Sequence, residues 1–457
     1  MTVPVETVVV GAGVSGLAYA HARGDDADLV VLEAAPRPGG LVRTTEVEGL
    51  RYEWGPEALQ DNAPETLALL DELGLSPVSA APEAQKRFVM HKGELIALPA
   101  GPGEFMKSKL LSAAGKLRAL TEPMRKSDRA LDGSVADFVR HRLGKQVLER
   151  LVDPFVTGIY AGDPELISVR SAFPMLVELV SEHGSLMGGL KARAKARREA
   201  GEEKGGKKGS MPGLMTVAGG VGGLTGAMAD ALGDRLHLDC AVTSVERDAN
   251  GWTLQTAHGA WRAERLVVSL NVTAAARLMQ QPVPALGEAL SNMTTESVVS
   301  ISHAWKREDV SHPLDGFGYL IPGGEQRSHL GTLFSSTIEP TCAPDGMVLM
   351  RTLLGGARNP RLVDWPDEEL FGVLRDDVGP VLGFSGDPAW AVVVRNRAAL
   401  PRYDLAQPGR QDRIDALLEE TPGLHLLGNH RRGISCNNLI EASRALAREH
   451  AGVAVAT

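Results

Sequence analysis

An apolar run at residues 7–10, a glycine-rich turn, a helix of small residues at 17–22 and a second apolar run at 29–32 ending on Glu33 open the chain. Strand, turn, helix and strand in that order form one βαβ unit. From about residue 89 to 190 apolar positions recur instead at helical spacing, clearest at 104–120, 134–142 and 145–151, and predict a helical section with few strands. Residues 191–209 begin as a polar helix and then lose all apolar content, the pattern of a mobile loop. A glycine-rich connection then leads into a helix at 224–232, followed by short strands at 237–240, 252–255 and 266–270. Two further strands, at 298–304 and 347–354, mark a β-rich stretch. The chain closes with a strand at 424–427, a glycine-rich turn and a last helix from about Asn438, with no internal repeat.

With 457 residues and 43% hydrophobic content the chain can hold two to four domains with sizeable cores, which excludes disorder over its whole length. Its 48 basic and 57 acidic residues leave a formal charge of -9, so no global basic field exists to capture nucleic acid. Cys240, Cys342 and Cys436 form no CxxC pair, which argues against a disulfide framework and a cysteine-built metal site. A reducing cytoplasm is the expected compartment, and no secretion signal is read at the N-terminus. The uncharged stretch 210–229 carries one proline and six glycines and reads as an irregular connection, not a membrane span. Among the twelve histidines there is no HExxH or paired spacing, so no metal is expected, and His430 beside Arg431 and Arg432 reads as a polar turn residue. Residues 105–120 form a basic helix with an apolar side. Such a helix can rest on an anionic bilayer, giving peripheral membrane contact, and packing on the protein's own core makes the same pattern; both readings stay open. Oligomeric state is not legible, and a homodimer stays open.

The chemistry begins in the first turn, Gly11-Ala12-Gly13-Val14-Ser15-Gly16. Gly11 permits the tight turn, Gly13 lets a pyrophosphate approach the backbone at a helix N-terminus, and Gly16 lets helix and strand pack closely. Glu33, followed by Ala34, would accept hydrogen bonds from the adenosine ribose and repel a 2′-phosphate, favouring FAD or NAD over NADP. Gly39-Gly40-Leu41-Val42-Arg43 then suits a long dinucleotide running past the turn, with Arg43 neutralising phosphates or packing beside a flavin. Glu53-Trp54-Gly55-Pro56-Glu57-Ala58 offers a further turn in which Gly55 could lie against a flat ring.

This set resembles the FAD-dependent amine-oxidase-like superfamily. Longer runs narrow the resemblance to the protoporphyrinogen oxidase family: Thr157-Gly158-Ile159-Tyr160-Ala161-Gly162-Asp163-Pro164 and its continuation to Pro174, Gly316-Phe317-Gly318-Tyr319-Leu320-Ile321-Pro322, Leu354-Gly355-Gly356, Leu400-Pro401-Arg402-Tyr403, and Gly428 through Glu441. The similarity covers nearly the whole chain in order. It implies an α/β (α+β) fold in which a discontinuous Rossmann-like FAD-binding domain (1–50, 212–285, 405–457) joins a β-rich substrate domain (51–88, 286–404) and a helical subdomain (89–211).

The resemblance places further cofactor contacts at Val242, Asn429, Ile434, Ser435 and Cys436, and pocket positions at Phe317, Gly318, Leu320 and Leu353. The last block also has a physical reading: a helix N-terminus near Asn438 aimed at the flavin would stabilise charge gained on reduction. Nothing near Cys436 looks like a base, so it is not read as a nucleophile. The implied activity is oxygen-dependent oxidation of protoporphyrinogen IX to protoporphyrin IX through FAD, with hydrogen peroxide formed, in haem or other tetrapyrrole synthesis. A related coproporphyrinogen III oxidase is the alternative; an amine oxidase, a carotenoid desaturase or a non-catalytic flavin scaffold is more distant. No acid–base pair emerges, and no catalytic residue is named. Plant and animal members are expected to hold a propionate with an arginine shortly after a Leu-Pro pair, whereas Leu98-Pro99 is followed here by Gly103, leaving Lys107, Lys109 or another cation for the task.

Overall fold

The computed structural model describes residues 2–125, 130–199, 213–431 and 433–452. Of the expected mobile loop, residues 200–209 lie outside the described residues.

Two seven-stranded sheets organise the molecule. In the first, Thr2–Val10 is flanked by parallel neighbours, Leu29–Leu32 on one side and Gly259–Val268 on the other. Val8, Val9 and Val10 are therefore all buried: Val9 packs with Leu17, Leu224 and Ile440, while Val8 and Val10 pack with Trp252, Leu266 and Val272 on the opposite face. A strand covered on both faces reads as an unbroken apolar run. Leu236–His237 extends one edge, Gly251–Thr256 and Val242–Asp248 the other, and Leu424–Leu426 pairs with Gly259–Val268. The expected strand at 237–240 is thus only Leu236–His237.

The second sheet runs in the order Trp390–Pro401, Thr295–Lys306, Met347–Gly355, His329–Leu333, Gly318–Leu320, Arg87–His91 and Glu94–Ala97. Its last two strands correct the helical reading of the chain from residue 89. Phe88, Val89 and Met90 are all buried, so the run lacks the alternation that marks a strand exposed on one face.

The helical section follows. The single helix expected at 104–120 is two, Pro102–Lys107 and Ala113–Leu120, because Ser112 caps the second by accepting from Gly115 N at 3.1 Å. Buried Glu122 accepts from Leu186 N and Met187 N at 2.9 and 3.2 Å and so caps helix Leu186–Glu199, with buried Arg142 3.4 Å away. Part of the glycine-rich connection at 210–229 is a strand, Leu214–Val217, before helix Gly222–Leu232. Among the described residues no helix is long and apolar enough to cross a membrane.

A chain of buried polar side chains crosses the second sheet. Trp305 Nε1 donates to His303 Nδ1 at 2.8 Å, and His303 Nε2 meets Thr352 Oγ1 at 3.0 Å. Thr352 meets Thr332 at 3.0 Å, Thr332 donates to the Tyr319 hydroxyl at 3.2 Å, and that hydroxyl meets His329 Nε2 at 2.9 Å. Burial pushes His303 down to about 3, so it is neutral and has one ring N–H, which it gives to Thr352. His430 lies in a turn, as read, but is also fully buried and pushed down to about 3.

Tyr319→Phe is expected to cost about 1–3 kcal/mol of unfolding free energy in denaturant titration, because His329 Nε2 loses its donor in a dry core. Acid should destabilise the fold. An unfolded histidine takes up a proton near pH 6.5, and folded His303 and His430 do so only near 3. Stability therefore falls as pH drops through that window, by about 1.4 kcal/mol per pH unit for each histidine, and a His303→Asn variant should show a shallower slope.

Candidate active site

The first glycine turn is closed on one side and open on the other. Gly11 has φ +103°, and a Cβ there would lie 2.3 Å from the Ser269 carbonyl oxygen. A Cβ on Gly16 would lie 2.1 Å from the Gly11 carbonyl oxygen, so helix Val14–Ala22 sits directly on the turn. Gly13 is different: its Cβ would meet nothing within 4 Å. It is the N-cap of the helix and offers no side-chain cap, which leaves the first-turn N–H groups of Val14, Ser15 and Gly16 facing an anion position. Glu33 accepts from Ala12 N at 2.7 Å and Ala35 N at 2.9 Å, beside exposed Ala34, and Cys240 N donates to the Glu33 carbonyl at 2.8 Å. Val242 begins its strand two residues on. Gly39 N donates to the Ala12 carbonyl at 2.8 Å, and a Cβ on Gly40 would stand 3.4 Å from the Gly13 Cα. The structure thus brings both glycine sets, Glu33 and the start of the Val242 strand together.

Three residues of the next segment also make contacts within the protein. The Arg43 guanidinium lies 3.8 Å from the Trp54 ring centre, with Arg37 at 5.3 Å from the same ring. Burial and then the Arg37 charge lower the Arg43 pKa, so the pair makes a positive edge next to half-exposed Leu41. The missing side chain of Gly55 makes room for the Leu41 carbonyl, 2.3 Å from a Cβ there. The Glu57 carboxylate is held by the Ser335 hydroxyl and by buried Arg351 at 3.0 Å. Arg351 also donates to the Gly55 and Trp54 carbonyls at 2.6 and 3.1 Å, which fastens the Trp54–Gly55–Pro56–Glu57–Ala58 turn to the second sheet.

Glu53 was not singled out by its sequence context. Its buried carboxylate accepts from Thr44 Oγ1 and Val221 N, both at 2.8 Å, while Thr44 Oγ1 accepts from Gly222 N at 2.8 Å. Acid and hydroxyl together cap helix Gly222–Leu232, whose Thr225 donates to the Val42 carbonyl at 2.9 Å. Burial first, and the Glu57 charge second, push Glu53 up to about 8.

In the C-terminal block the Asn429 side chain donates to the Ala399 carbonyl at 2.9 Å, and its own carbonyl accepts from the Tyr403 hydroxyl at 2.6 Å. Ile434 packs on the helical section. Ser435 caps a helix that starts at Cys436, two residues before the expected Asn438. Burial pushes the Cys436 thiol up to about 12, consistent with an inert thiol.

Phe317, Gly318, Leu320 and Leu353 are brought together by the second sheet, where Gly318 pairs with Leu333 and Leu353 with Gly331. Tyr319, Thr332 and Thr352 are buried on one side, whereas their neighbours Leu320, Leu333 and Leu353 are half-buried on the other. The cation at this wall is Arg87, which no sequence pattern singled out. It pairs with Gly318 across parallel strands, and its guanidinium lies 5.3 Å from the Phe317 ring centre. Lys107 and Lys109 are exposed, as is Gly103, at the short helix Pro102–Lys107.

A glycine turn with an open Gly13 backbone at a helix N-terminus and Glu33 beside it has the form of a dinucleotide-binding site. Comparison with known proteins agrees. The family model for flavin containing amine oxidoreductase matches residues 14–436, and the chain belongs to that family. It is an FAD-dependent oxidoreductase, and the glycine turns, Glu33 and open Gly13 backbone fit that cofactor. Protoporphyrinogen oxidase 2 of Arabidopsis thaliana is 31% identical, covering 94% of this chain and 91% of its own. Coproporphyrinogen III oxidases of Propionibacterium freudenreichii and Bacillus subtilis are 32% and 26% identical, covering 98% and 96% of this chain and 91% and 96% of theirs. The fold is shared with a solved Exiguobacterium structure at TM-score 0.80 and 22% identity, covering 98% of this chain and 99% of that one. Putrescine oxidase matches at TM-score 0.73 and 17% identity, covering 99% and 100%.

Two glycine variants separate folding from cofactor binding. Gly16→Ala should fail to fold or lose most of its stability. Gly13→Ala should melt as the wild-type apoprotein does, yet bind FAD at least about tenfold more weakly in flavin-fluorescence titration, since only the cofactor's approach is blocked.

Proposed function

We propose that the chain oxidises a porphyrinogen, with protoporphyrinogen IX as the leading substrate and coproporphyrinogen III as the alternative. The observation that carries this reading is the wall of Phe317, Leu320 and Leu353 with Arg87 stacked at one end. A flat apolar macrocycle with carboxylate arms needs an extended apolar surface and few cations, and Arg87 supplies a guanidinium where Gly103 supplies none. Bound FAD supplies two-electron acceptance. Six electrons leave the macrocycle in three such oxidations, and three molecules of oxygen take them up as hydrogen peroxide. The chain's own task is positioning: the wall excludes water and holds the ring, and Arg87 fixes its carboxylate edge. No base is assigned, because the pyrrole nitrogens of the substrate themselves drive hydride loss.

The reading includes a cytoplasmic enzyme resting on a membrane surface. Its support is Met106, Leu117, Leu120 and Met124, of which Leu117 is 64% and Met124 80% exposed, next to exposed Lys107 and Lys109. Vesicles of anionic lipid should sediment the protein, and a Leu117→Ser, Met124→Ser variant should stay in solution.

Porphyrin fluorescence in air, measured over several concentrations of each porphyrinogen, tests the function. A tenfold or larger ratio of kcat/KM, about 1.4 kcal/mol of discrimination, identifies the substrate. If neither porphyrinogen is oxidised above the uncatalysed rate by protein that is yellow with FAD, the reading falls. Arg87→Ala should raise KM about tenfold or more for the free acids and leave the propionate methyl esters little changed.

A further inference from the structure

We propose that Arg358 is a positioning residue: it holds helix Asp153–Tyr160 at a fixed distance from the second sheet and so sets the width of the pocket for the macrocycle. The inference rests on the porphyrinogen reading for its substrate but on separate residues for its geometry.

Asp153–Tyr160 is the last part of a helix that runs on without a break from Lys145–Val147 through the π-turn Leu148–Val152; it ends at Ala161, which adopts φ +48°. Both ends are held by one turn, residues 356–358, that continues the strand carrying Leu353. At the C-terminal end, Ala357 N donates to the Ala161 carbonyl at 2.7 Å, and a Cβ on Gly356 would lie 2.2 Å from that carbonyl oxygen. At the N-terminal end, Arg358 Nη2 donates to both Asp153 carboxylate oxygens at 2.9 and 2.8 Å, and Nη1 to the Ile321 carbonyl at 2.6 Å. Asp153 also accepts from Gly323 N at 2.7 Å, just past the strand that carries Leu320. Arg358 therefore ties the helix to the ends of two strands at once.

Between these ends the helix meets the wall. A Cβ on Gly158 would lie 2.7 Å from Leu320 Cδ2, so helix and strand are in direct contact at this position. Phe155 and Ile159 flank Gly158 on the same helix face and are each 39% exposed. Both leave apolar surface uncovered on the helix that touches Leu320, and Phe155 also meets the Phe173 ring at 6.2 Å. The segment spans only about 12 Å, and Asp153 stands where the π-turn passes into it, so loss of the Arg358 contacts lets that junction shift against the strand carrying Leu320. Arg358 and Asp153 keep only 19% and 15% of their side-chain surface exposed, so removing Arg358 also lowers stability, and local exchange and KM read the positional effect apart from it.

Arg358→Ala and Arg358→Lys in the FAD-loaded enzyme test this. In Arg358→Ala, KM for the preferred porphyrinogen should rise about tenfold, kcat should stay within about twofold, and the FAD spectrum should not change. Amide hydrogen exchange at residues 154–161 should accelerate in the same variant, and Arg358→Lys should restore most of both properties. Unchanged exchange, or faster exchange with unchanged KM, overturns the proposal. If the wild type oxidises no porphyrinogen, the functional reading fails, and unchanged exchange in Arg358→Ala still overturns the clamp by itself.

Discussion

Helix Val14–Ala22 can rest on the first turn only because Gly11 and Gly16 carry no side chains, and the glycine-rich side of the first sheet is arranged around that contact. The turn places the Gly13 backbone at an open surface, puts the helix N-terminus behind it, and aligns Ala12 N with Glu33. Gly39 then closes on Ala12 from the other side. A cofactor that lies extended along bare backbone gains amide dipoles without side-chain bulk, which is why small residues and not charged ones dominate this part of the site.

Charge enters where the two sheets meet. Arg351 leaves the middle of the second sheet to hold Trp54, Gly55 and Glu57, and Glu53 caps the helix that fixes Val42. Arg351 and Glu57 are a buried ion pair with further partners, so removing one leaves an uncompensated charge in a dry site. The Trp54–Ala58 turn and the second sheet are thereby held in one frame.

Much of the first sheet was legible because its signals are local. The 7–10 and 29–32 runs, the glycine spacing and Glu33 all lie within one βαβ unit. The strand Arg87–His91 was not legible, since a strand buried on both faces shows no alternation, and with it went Arg87. Arg351, Arg358 and Glu53 were missed for another reason. Arg351 and Glu57 are 294 residues apart, and Arg358 and Asp153 are 205 apart, so neither charge carries a local mark of its partner. At Gly55 the missing side chain was legible as a close approach, and the Leu41 carbonyl is one group that makes it. The resemblance to protoporphyrinogen oxidases supplied the pocket residues Phe317, Gly318, Leu320 and Leu353, and the strand pairing of the second sheet brings them side by side.

The account's central claim is that this FAD site takes electrons from a porphyrinogen. Mixing the oxidised, FAD-loaded protein with protoporphyrinogen IX or coproporphyrinogen III without oxygen tests it most directly, because only the electron transfer between substrate and bound flavin can occur. The account predicts that the yellow flavin absorbance bleaches in a single turnover with at least one of the two, and returns when air is admitted. Flavin that stays oxidised with both, yet bleaches with a simple amine, would contradict it.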